Sequence, residues 1–486
     1  MKQLIIILLL VMSVAMQAQN IRAYMSHNVF YSPKEGPFLE TYVQVDGTSV
    51  KWEKGANNKF DAQIELTLIF EQDSNIIDFS KVIIKSPEVE DSAGMRIEFM
   101  NTQRFALKNG MYDVKIKIDD LNDSLKAEYI QSEIEIDIPD TTASISSIEI
   151  VKSYSRSNQT GAFNHSGYDL IPNIYNYLPE QDSIFTFYAE LYHIDKTLGK
   201  DEAYILNYYI SNFETNVILP KYKRFERRKA KEVDAILNQL DISNLPTGNF
   251  VFTIELIDRN MQLIAKKDYF FQRENKNVLF EEGEIKSVNI INTFAELITG
   301  KDTLEDVLQA MQPISSQTEN MFVEQIIKNG DIRIMQQYIY NFWHQRNPNE
   351  PSKPFIAYMT EVMRVNKEYS TSIKKGYQTD RGIIYLRYGQ PNSIVKQYHE
   401  PSTYPYEIWH YYGIKGQGNV KFVFYNTDLA TNDFDLLHSN AVGEISNYQW
   451  QLVLRKRDKN YRSIDETGRG VDEWGTRYEE YYEQPR

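Results

Sequence analysis

The stretch "LKNGMYDVKIKIDDLN" (107–122) decides the fold of the N-terminal half. A glycine closes a turn, an aromatic residue follows, β-forming residues alternate with polar ones, and Asp and Asn open the next turn. This period of two predicts a strand with one buried face. The order returns in "LPTGNFVFTIELIDRN" (245–260), and the matched pairs are Leu107 with Leu245, Gly110 with Gly248, Tyr112 with Phe250, Ile116 with Ile254, Asp120 with Asp258 and Asn122 with Asn260.

Similar alternating segments surround both stretches, as in "FLETYVQVDG" and "FDAQIELTLIFEQD", and no comparable helical pattern separates them. Such a run of strands predicts antiparallel β-sandwiches. We therefore predict two immunoglobulin-like sandwiches in tandem, over residues 19–142 and 143–277. Either a duplication or a coincidence between two strands with similar turns accounts for the repeat.

The N-terminus has the pattern of an export signal. Lys2 gives a positive start, and residues 4–12 form an apolar run that is too short to span a bilayer as a mature helix. Small residues follow, so we expect cleavage after Ala15 or Ala18 and assign residues 1–18 to a signal peptide. A buried N-terminal strand or helix is the alternative.

Composition excludes several classes of site and partner. The chain has 486 residues and no cysteine, which rules out disulfides, thiolate catalysis, cysteine-ligated zinc and a lipid anchor on cysteine. Its formal net charge of -14 argues against a nucleic-acid binder. No second apolar stretch approaches the roughly 18 residues of a membrane-spanning helix, so we expect no span after signal cleavage.

One segment departs from this acidic character. "KYKRFERRKAK" (221–231) carries seven basic residues and one acid. It predicts either a solvated edge strand or loop, whose charges prevent sheets from pairing, or a surface that binds phosphate, a lipid headgroup or an acidic partner.

After residue 278 the period changes to that of helices. "TLEDVLQAM" (303–311) starts with a threonine cap, and "FIAYMTEVMRVNKEY" (355–369) is a further helix. Between them, "DIRIMQQYIYNFWHQR" (331–346) places four apolar residues on one face, which are Ile334, Tyr338, Phe342 and Trp343. Four strands are predicted near the C-terminus, at 383–388, 407–412, 420–426 and 450–456.

Residues 278–460 are therefore predicted to form an α+β domain with helices on an antiparallel meander. Residues 461–486 are polar, and we expect a frayed tail. The stretch "KKGYQTDRGIIYLRYGQP" (374–391) is the most motif-like part of the domain. On physical grounds Gly376 suits a helix C-cap with positive φ, and Thr379 and Asp380 suit a tight turn held by backbone amides.

The segment "GYQTDRG" resembles the Gly-Trp-x-Thr-Asp signature of the GWxTD domain family. Upstream, "FWHQRNP" (342–348) resembles the family's Phe-Trp-x-x-Arg-Asp-Pro, and "RGIIYLRYGQP" resembles its Arg-Gly-x-x-Tyr-x-x-Tyr-Gly-x-Pro. "YEIWHYY" (406–412) and "FVFYN" (422–426) resemble the strands that follow. The residues that carry the resemblance are Phe342, Trp343, Arg346, Pro348, Gly376, Tyr377, Thr379, Asp380, Arg381, Gly382, Tyr385, Gly389, Pro391 and Trp409.

The resemblance covers residues 300–456 and implies an exported, multi-domain envelope protein of Bacteroidota-type bacteria, periplasmic or associated with the outer membrane or cell surface. It implies no particular reaction. This chain departs from the family pattern at two positions, since Tyr377 stands where the signature has Trp and Asn347 stands where an Asp is usual. If that Asp were a catalytic acid, this chain would lack it.

A carbohydrate- or peptidoglycan-directed hydrolase is one interpretation of Asp380. It requires a second carboxylate about 5–10 Å away, for which Glu407 and Asp428 are the candidates. Three histidines of the domain follow no metal-binding spacing, and they are His399, His410 and His438. We expect no metal and no cofactor, and we favour a structural turn at Asp380.

Aromatic residues crowd the predicted strand 407–412. Alternation puts Trp409 and Tyr411 on the side of Glu407, with Ile408, His410 and Tyr412 on the other side. One side must be core. The other side has two interpretations. It is an aromatic surface that binds a peptide, a glycan or a protein, or it is covered by helices in the same way as the core side.

Together these features predict an exported, non-enzymatic binding or scaffold protein. The sandwiches act as spacers and docking surfaces, and the C-terminal domain carries the specific contact with an envelope protein, with a glycan or the outer membrane as further contacts. We expect no nucleic-acid partner. The alternatives are the hydrolase that uses Asp380 and a membrane-surface protein that uses residues 221–231.

Overall fold

The structure is a computed structural model. It describes residues 21–55, 57–123, 127–157, 161, 163–275, 285, 288–400, 402–428, 431–447, 449–455 and 477–483. The expected signal peptide lies outside these residues, as does most of the expected tail. None of the helices within these ranges is long and apolar enough to cross a bilayer.

The chain divides into two compact units. The first comprises residues up to 174 together with 188–197 and 232–236, and the second comprises 175–187, 198–231 and the residues from 237 onward. Strands and helices are numbered below in chain order. The predicted domain boundaries at 142 and 277 stay predictions.

The first unit begins with a β-sandwich. Its strands are β1 (Ala23–Ser32), β2 (Gly36–Asp46), β3 (Glu53–Lys54), β4 (Phe60–Asp61), β5 (Gln63–Gln72), β6 (Asn75–Lys85), β7 (Glu98–Phe105), β8 (Gly110–Asp120) and β9 (Ala127–Ile136). Two antiparallel sheets, β1-β2-β7 and β6-β5-β8-β9, enclose one apolar core that includes Val43, Leu68, Phe99 and Ile116. The alternating pattern therefore predicted this sandwich correctly.

A second set of strands follows, with one short helix, α1 (Ile194–Leu198). The strands are β10 (Ser144–Ile145), β11 (Glu149–Arg156), β12 (Asn164–His165), β13 (Tyr168–Pro172), β14 (Tyr177–Leu178), β15 (Ile184–Tyr192), β16 (Ala203–Asn212), β17 (Arg224–Lys229), β18 (Val233–Asp241), β19 (Gly248–Ile257) and β20 (Leu263–Arg273). In the second unit the sheet has the order β14-β20-β19-β16-β17. Phe187 packs on Phe252 of this sheet, with ring centroids 4.5 Å apart.

The two repeated stretches have the same local structure. Each strand, β8 and β19, begins at the matched glycine, and the aromatic side chain two residues later is buried. At the end of each strand an aspartate Oδ1 accepts the amide N–H of the asparagine two residues on. The distance is 2.9 Å from Asn122 to Asp120 and 2.8 Å from Asn260 to Asp258.

The C-terminal part of the second unit combines helices with a four-stranded sheet. The helices are α2 (Lys301–Met311), α3 (Gln317–Asn329), α4 (Ile332–Arg346), α5 (Ser352–Tyr369), α6 (Asp380–Tyr388), α7 (Trp450–Arg455) and α8 (Tyr478–Glu483). The strands are β21 (Ser393–Gln397), β22 (Tyr406–Ile414), β23 (Gln417–Tyr425) and β24 (Asp435–Ser439), paired in this order and antiparallel. The predicted class, β-sandwiches followed by an α+β region, is confirmed.

Several local predictions were wrong. Residues 383–388 belong to helix α6, and residues 450–455 form helix α7, in which Trp450 and Leu454 share one buried face. Gly376 lies in a 3₁₀ turn without positive φ, and Ser370 ends α5 instead. Gly300, not Thr303, is the N-cap residue of α2.

The expected frayed tail is also wrong where it is described. Residues 478–483 form a helix, and its first residue, Tyr478, is buried with its ring 5.8 Å from that of Trp450. The many polar residues of this segment led to the prediction of a frayed tail, but its tyrosines supply the apolar surface that holds the helix.

Candidate functional site

The signature segment forms a 3₁₀ turn at Gly376–Gln378 and then the N-terminus of α6. Thr379 is the N-cap residue and is fully buried. Its hydroxyl accepts the amide N–H of Gly382 at 3.2 Å and donates to the carbonyl oxygen of Gly376 at 2.8 Å. Thr379 therefore satisfies a free amide of the helix and locks the turn against it.

Both signature glycines are required by close backbone contacts. A Cβ atom at Gly376 would lie 2.1 Å from the carbonyl oxygen of Val365 in α5. A Cβ atom at Gly382 would lie 1.9 Å from the carbonyl oxygen of Gly376. Because real Cβ atoms do not approach other atoms so closely, α5, the turn and α6 can meet only through glycine.

Tyr377, in the place of the signature tryptophan, connects the turn to α2 and α5. The side chain is buried, and its hydroxyl lies 3.2 Å from Asp306 Oδ1 and 3.3 Å from Gln309 Oε1. Its amide N–H donates to Asn366 Oδ1 at 3.2 Å. Burial, and then the nearby charge of Asp306, raises the pKa of this phenol.

The next two residues of the signature hold α6 on the sheet. The Asp380 carboxylate accepts the amide N–H of Leu436 in β24 at 2.6 Å. Arg381 Nη1 donates to Glu407 Oε1 at 2.9 Å, and Arg381 Nη2 donates to the carbonyl oxygen of Asn432 at 2.5 Å. The Arg381 guanidinium also lies 4.3 Å from the centroid of the Phe434 ring, a cation–π distance.

Glu407 is fully buried and its two oxygens are already occupied. Oε1 also accepts the Tyr398 hydroxyl at 2.5 Å, and Oε2 accepts Trp409 Nε1–H at 2.9 Å. Asp428, by contrast, is exposed beyond the end of β23. Asp380 holds a backbone amide and Glu407 has no access to solvent, so both carboxylates of the candidate pair Asp380–Glu407 are engaged in structural contacts.

The upstream motif is likewise part of the core. Phe342 and Trp343 are buried, and the Arg346 guanidinium lies 3.4 Å from the centroid of the Phe342 ring. Arg346 Nη2 also pairs with Glu319 Oε2 at 3.2 Å. Asn347, where the family has Asp, accepts the amide N–H of Glu350 through Oδ1 at 3.2 Å, a bond that an aspartate can make equally.

The remaining motif residues complete the same framework. Tyr385 is buried and its hydroxyl donates to Glu361 Oε2 at 3.1 Å. Gly389 follows α6 with φ of +84°, a conformation that favours glycine. Pro391 and Trp409 are buried and Pro348 is exposed.

Helices cover both faces of the strand that carries the aromatic cluster. Trp409 and Tyr411 share a core with residues of α5 and α6. On the other face, Ile408 packs in a core with Trp450 and Tyr478. Of the cluster, Tyr412 remains well exposed, so the sheet offers no continuous aromatic surface within the described residues.

The three histidines have separate surroundings. His438 is buried, with its ring stacked on Trp450 at an interplanar angle of 9°, and its Nδ1 accepts the amide N–H of Asn447 at 3.0 Å. His410 Nε2 lies 2.9 Å from Asn419 Oδ1. His399 is exposed.

A groove of about 560 Å³ lies beside the signature turn. Its walls come from α2 and the 3₁₀ turn after it, from α3, from the signature turn and from α6, and four of its eleven lining residues carry amide side chains. These amides belong to Gln309, Gln312, Asn320 and Gln378, and Tyr377 lines the same groove. The groove could not be predicted from the sequence, because its lining residues are spread over several elements and form no motif.

Comparisons with known proteins were made for the whole chain. Residues 269–453 match the GWxTD domain, and no curated protein matches the chain. Among solved structures, a beta-glucuronidase of Bacteroides uniformis is 8% identical over 60% of this chain and 35% of that chain, with a TM-score of 0.18. A glycosyl hydrolase family 2 member of Bacteroides cellulosilyticus is 7% identical over 48% of this chain and 26% of that chain, also with a TM-score of 0.18.

Fibronectin(III)-like modules of Clostridium thermocellum CbhA are 8% identical over 50% of this chain and 89% of that chain, with a TM-score of 0.15. The chain spans about a third or less of the length of the two enzymes. At these TM-scores the likenesses carry no argument about fold or activity.

Proposed function

From the premise that the chain contains a GWxTD domain at residues 269–453, we propose that it is an exported, non-enzymatic binding or scaffold protein of the cell envelope. The domain docks an extended segment of an envelope protein in the groove beside the signature turn. The observation that carries this proposal is the lining of that groove, in which the signature itself supplies Tyr377 and Gln378.

The lining suits a polypeptide in extended form. An amide side chain carries both donors and an acceptor, which is what the backbone of a peptide requires. The Oε1 atoms of Gln309 and Gln378 already accept hydrogen bonds within the protein, so Gln312 and Asn320 are the amides placed to meet a peptide. Exposed Glu324 and Lys328 stand on the same groove and add one charge of each sign. Pro313, Ile327 and Ile383 in the same lining supply an apolar surface for a partner side chain.

The contacts made by the charged residues of the signature and by Glu407 favour binding over hydrolysis. Asp380, Arg381 and Glu407 are engaged in contacts that hold α6 on the sheet. A hydrolase needs one carboxyl group to donate a proton and another that reaches substrate or water. A binding protein needs only that the scaffold keep the groove walls in place.

The test combines site-specific crosslinking with a charge variant. A photoreactive residue is placed at Lys328 in the groove or, as control, at Lys367, which is exposed on α5, and cells are irradiated. We expect one discrete protein adduct at Lys328 alone, and we expect Gln312→Glu to reduce its yield while Gln345→Glu, an exposed glutamine outside the groove, does not. Equal adducts at both positions would contradict docking in the groove. If the protein selectively retained a glycan instead, the proposed peptide ligand would be wrong and a carbohydrate would take its place.

A second candidate function has its own observation. The basic stretch forms β17, an edge strand of its sheet, as one of the two interpretations predicted. Phe225 is 76% exposed on this strand, and alternation places it on the same face as the exposed Arg227 and Lys229. An exposed aromatic ring among cations is the combination that binds an anionic membrane surface.

We propose this surface as a contact with anionic lipid, tested by cosedimentation with vesicles that contain or lack anionic lipid. Phe225→Ala and Arg227→Glu should each release the protein, and raised salt should do the same. Tyr412→Ala, another exposed aromatic, is the matched control. Binding that ignores lipid charge would contradict the proposal.

A further inference from the structure

Three buried metal-ligand side chains converge in the first unit. Glu40 lies on β2, Glu149 begins β11 and His165 ends β12. They are 0%, 3% and 5% exposed. One ligand atom from each lies within 4.8 Å of the others.

The spacing fits a small divalent cation. His165 Nε2 lies 3.2 Å from Glu40 Oε2. Two ligands of a tetrahedral zinc ion, each about 2.0–2.1 Å from the metal, are about 3.3 Å apart. Glu40 and His165 form a hydrogen-bonded pair whose atoms are at the separation of neighbouring ligands, so a cation would take the place of the proton between them. A rotation of the Glu149 side chain would complete the set.

Hydrogen bonding compensates little of the charge on Glu149. Within the described part of the chain, the hydrogen bond to its carboxylate comes from the Tyr42 hydroxyl at 3.4 Å. That hydroxyl is closer to Glu40 Oε2, at 2.6 Å, and its single proton can serve one carboxylate at a time. A buried carboxylate without a strong donor is costly, and a cation between Glu40 and Glu149 would remove the cost.

The surroundings orient the ligands. Arg104 binds Oε1 of Glu40 and so leaves Oε2 directed at His165. The imidazole is packed between Phe30, at 4.9 Å between ring centroids, and Tyr188, at 5.4 Å. Outer contacts of this kind fix metal ligands in known sites. The Arg104 side chain is 39% exposed, so the cluster lies near the surface of the unit.

We propose that Glu40, Glu149 and His165 bind one first-row divalent cation, for which Zn²⁺ is the best fit. An imidazole nitrogen in the set favours zinc over calcium and magnesium, which take oxygen ligands. Water or the Tyr42 hydroxyl would fill the fourth position. The ion joins strands β2, β11 and β12 and so stabilises the first unit.

In the experiment, a chelator first removes bound metal from the full chain. The chain is then titrated with Co²⁺, which serves as a spectroscopic probe, and afterwards with Zn²⁺. We expect one equivalent of Co²⁺ to give the visible absorption of a four-coordinate site, Zn²⁺ to displace it, and the unfolding temperature to rise on metal binding. Glu149→Gln keeps the shape of the side chain and should weaken binding at least tenfold. His165→Gln should do the same.

Glu190→Gln is the matched control, because Glu190 is also buried but accepts the hydroxyls of Tyr188 and Tyr192 and is not a ligand. It should leave the stoichiometry unchanged. Absence of stoichiometric Co²⁺ binding by the natural chain overturns the proposal, and so does an equal loss of affinity in Glu190→Gln. The spectrum of the natural chain decides the matter even if a variant does not fold.

Discussion

Replacement of Arg381 by methionine tests whether the signature is a clamp that holds α6 on the sheet. Methionine has a comparable length and fits between the rings of Tyr369 and Phe434, but it removes the ion pair with Glu407. The Arg381 and Glu407 side chains are 3% and 0% exposed, so the remaining carboxylate stays out of water.

The size of the loss in stability depends on the hydrogen bonds that Glu407 retains. Removal of one partner of a buried ion pair lowers the free energy of unfolding by about 3–5 kcal/mol. Tyr398 and Trp409 still donate hydrogen bonds to the carboxylate, each with a net value of about 1 kcal/mol. We therefore expect a loss near the lower end, about 3 kcal/mol.

Hydrogen exchange measured by mass spectrometry localises the change. Peptides covering α6 and β24 should exchange faster in Arg381→Met, and the double variant Arg381→Met/Glu407→Leu should regain part of the protection because no charge remains buried. Lys353→Met, which removes an exposed pair with Glu350 at the start of α5, is the control and should leave these peptides unchanged. A single variant within about 1 kcal/mol of the natural chain, or a double variant less stable than the single one, would refute the clamp.

Gly382→Ala improves helix propensity by about 1 kcal/mol, but the new Cβ would lie 1.9 Å from a carbonyl oxygen. Thermal unfolding should therefore show a net loss of stability of about 2 kcal/mol or more. Gly418→Ala, whose Cβ would lie 3.7 Å from its nearest neighbour, should leave the stability unchanged. Burial lowers the pKa of His438 from 6.5 to about 4, so the unfolded chain binds the proton first and stability falls by up to about 3 kcal/mol between pH 6.5 and 4. Urea unfolding at several pH values should show a flatter dependence in His438→Gln, and an unchanged slope would rule out this assignment. Glu319→Gln weakens both the capping box of α3 and the pair with Arg346, so it should lower the free energy of unfolding by about 1–2 kcal/mol, while Glu350→Gln, at an exposed pair, should not.

The sandwich strands and long helices could be predicted because their periods are visible in the sequence. In β8 every second residue from Tyr112 to Ile118 is buried, and this is the alternation that a one-sided sheet imposes. In α4 the predicted face is largely correct, since Tyr338, Phe342 and Trp343 are all buried. Such elements bury a single face, and the pattern reports that face directly.

Helix α6 could not be recognised from composition, because "IIYLRY" consists largely of strand-forming residues. Its end signals were nevertheless present. Thr379 caps its start with Asp380 in the first turn, and Gly389 follows its end. Both were interpreted as turn residues of a strand. The caps satisfy backbone groups at both ends, and burial of Ile384 and Tyr385 against the sheet outweighs the weak propensity for a strand.

The sites themselves were beyond prediction from the sequence. The groove draws on separate elements, and Glu40, Glu149 and His165 are brought together by strand pairing between distant segments. In neither site do the residues follow a fixed spacing along the chain, as the residues of a motif on a single helix do.

The structural role of the signature also determines which variants can report on function. Thr379, Asp380 and Arg381 hold the turn and α6 in place, and the same turn presents Tyr377 and Gln378 to the groove. A loss of partner binding in Arg381→Met would therefore follow from a displaced groove wall as readily as from a lost contact. Gln312→Glu changes the lining without touching the clamp, so a loss of binding there, at unchanged stability, separates recognition from folding.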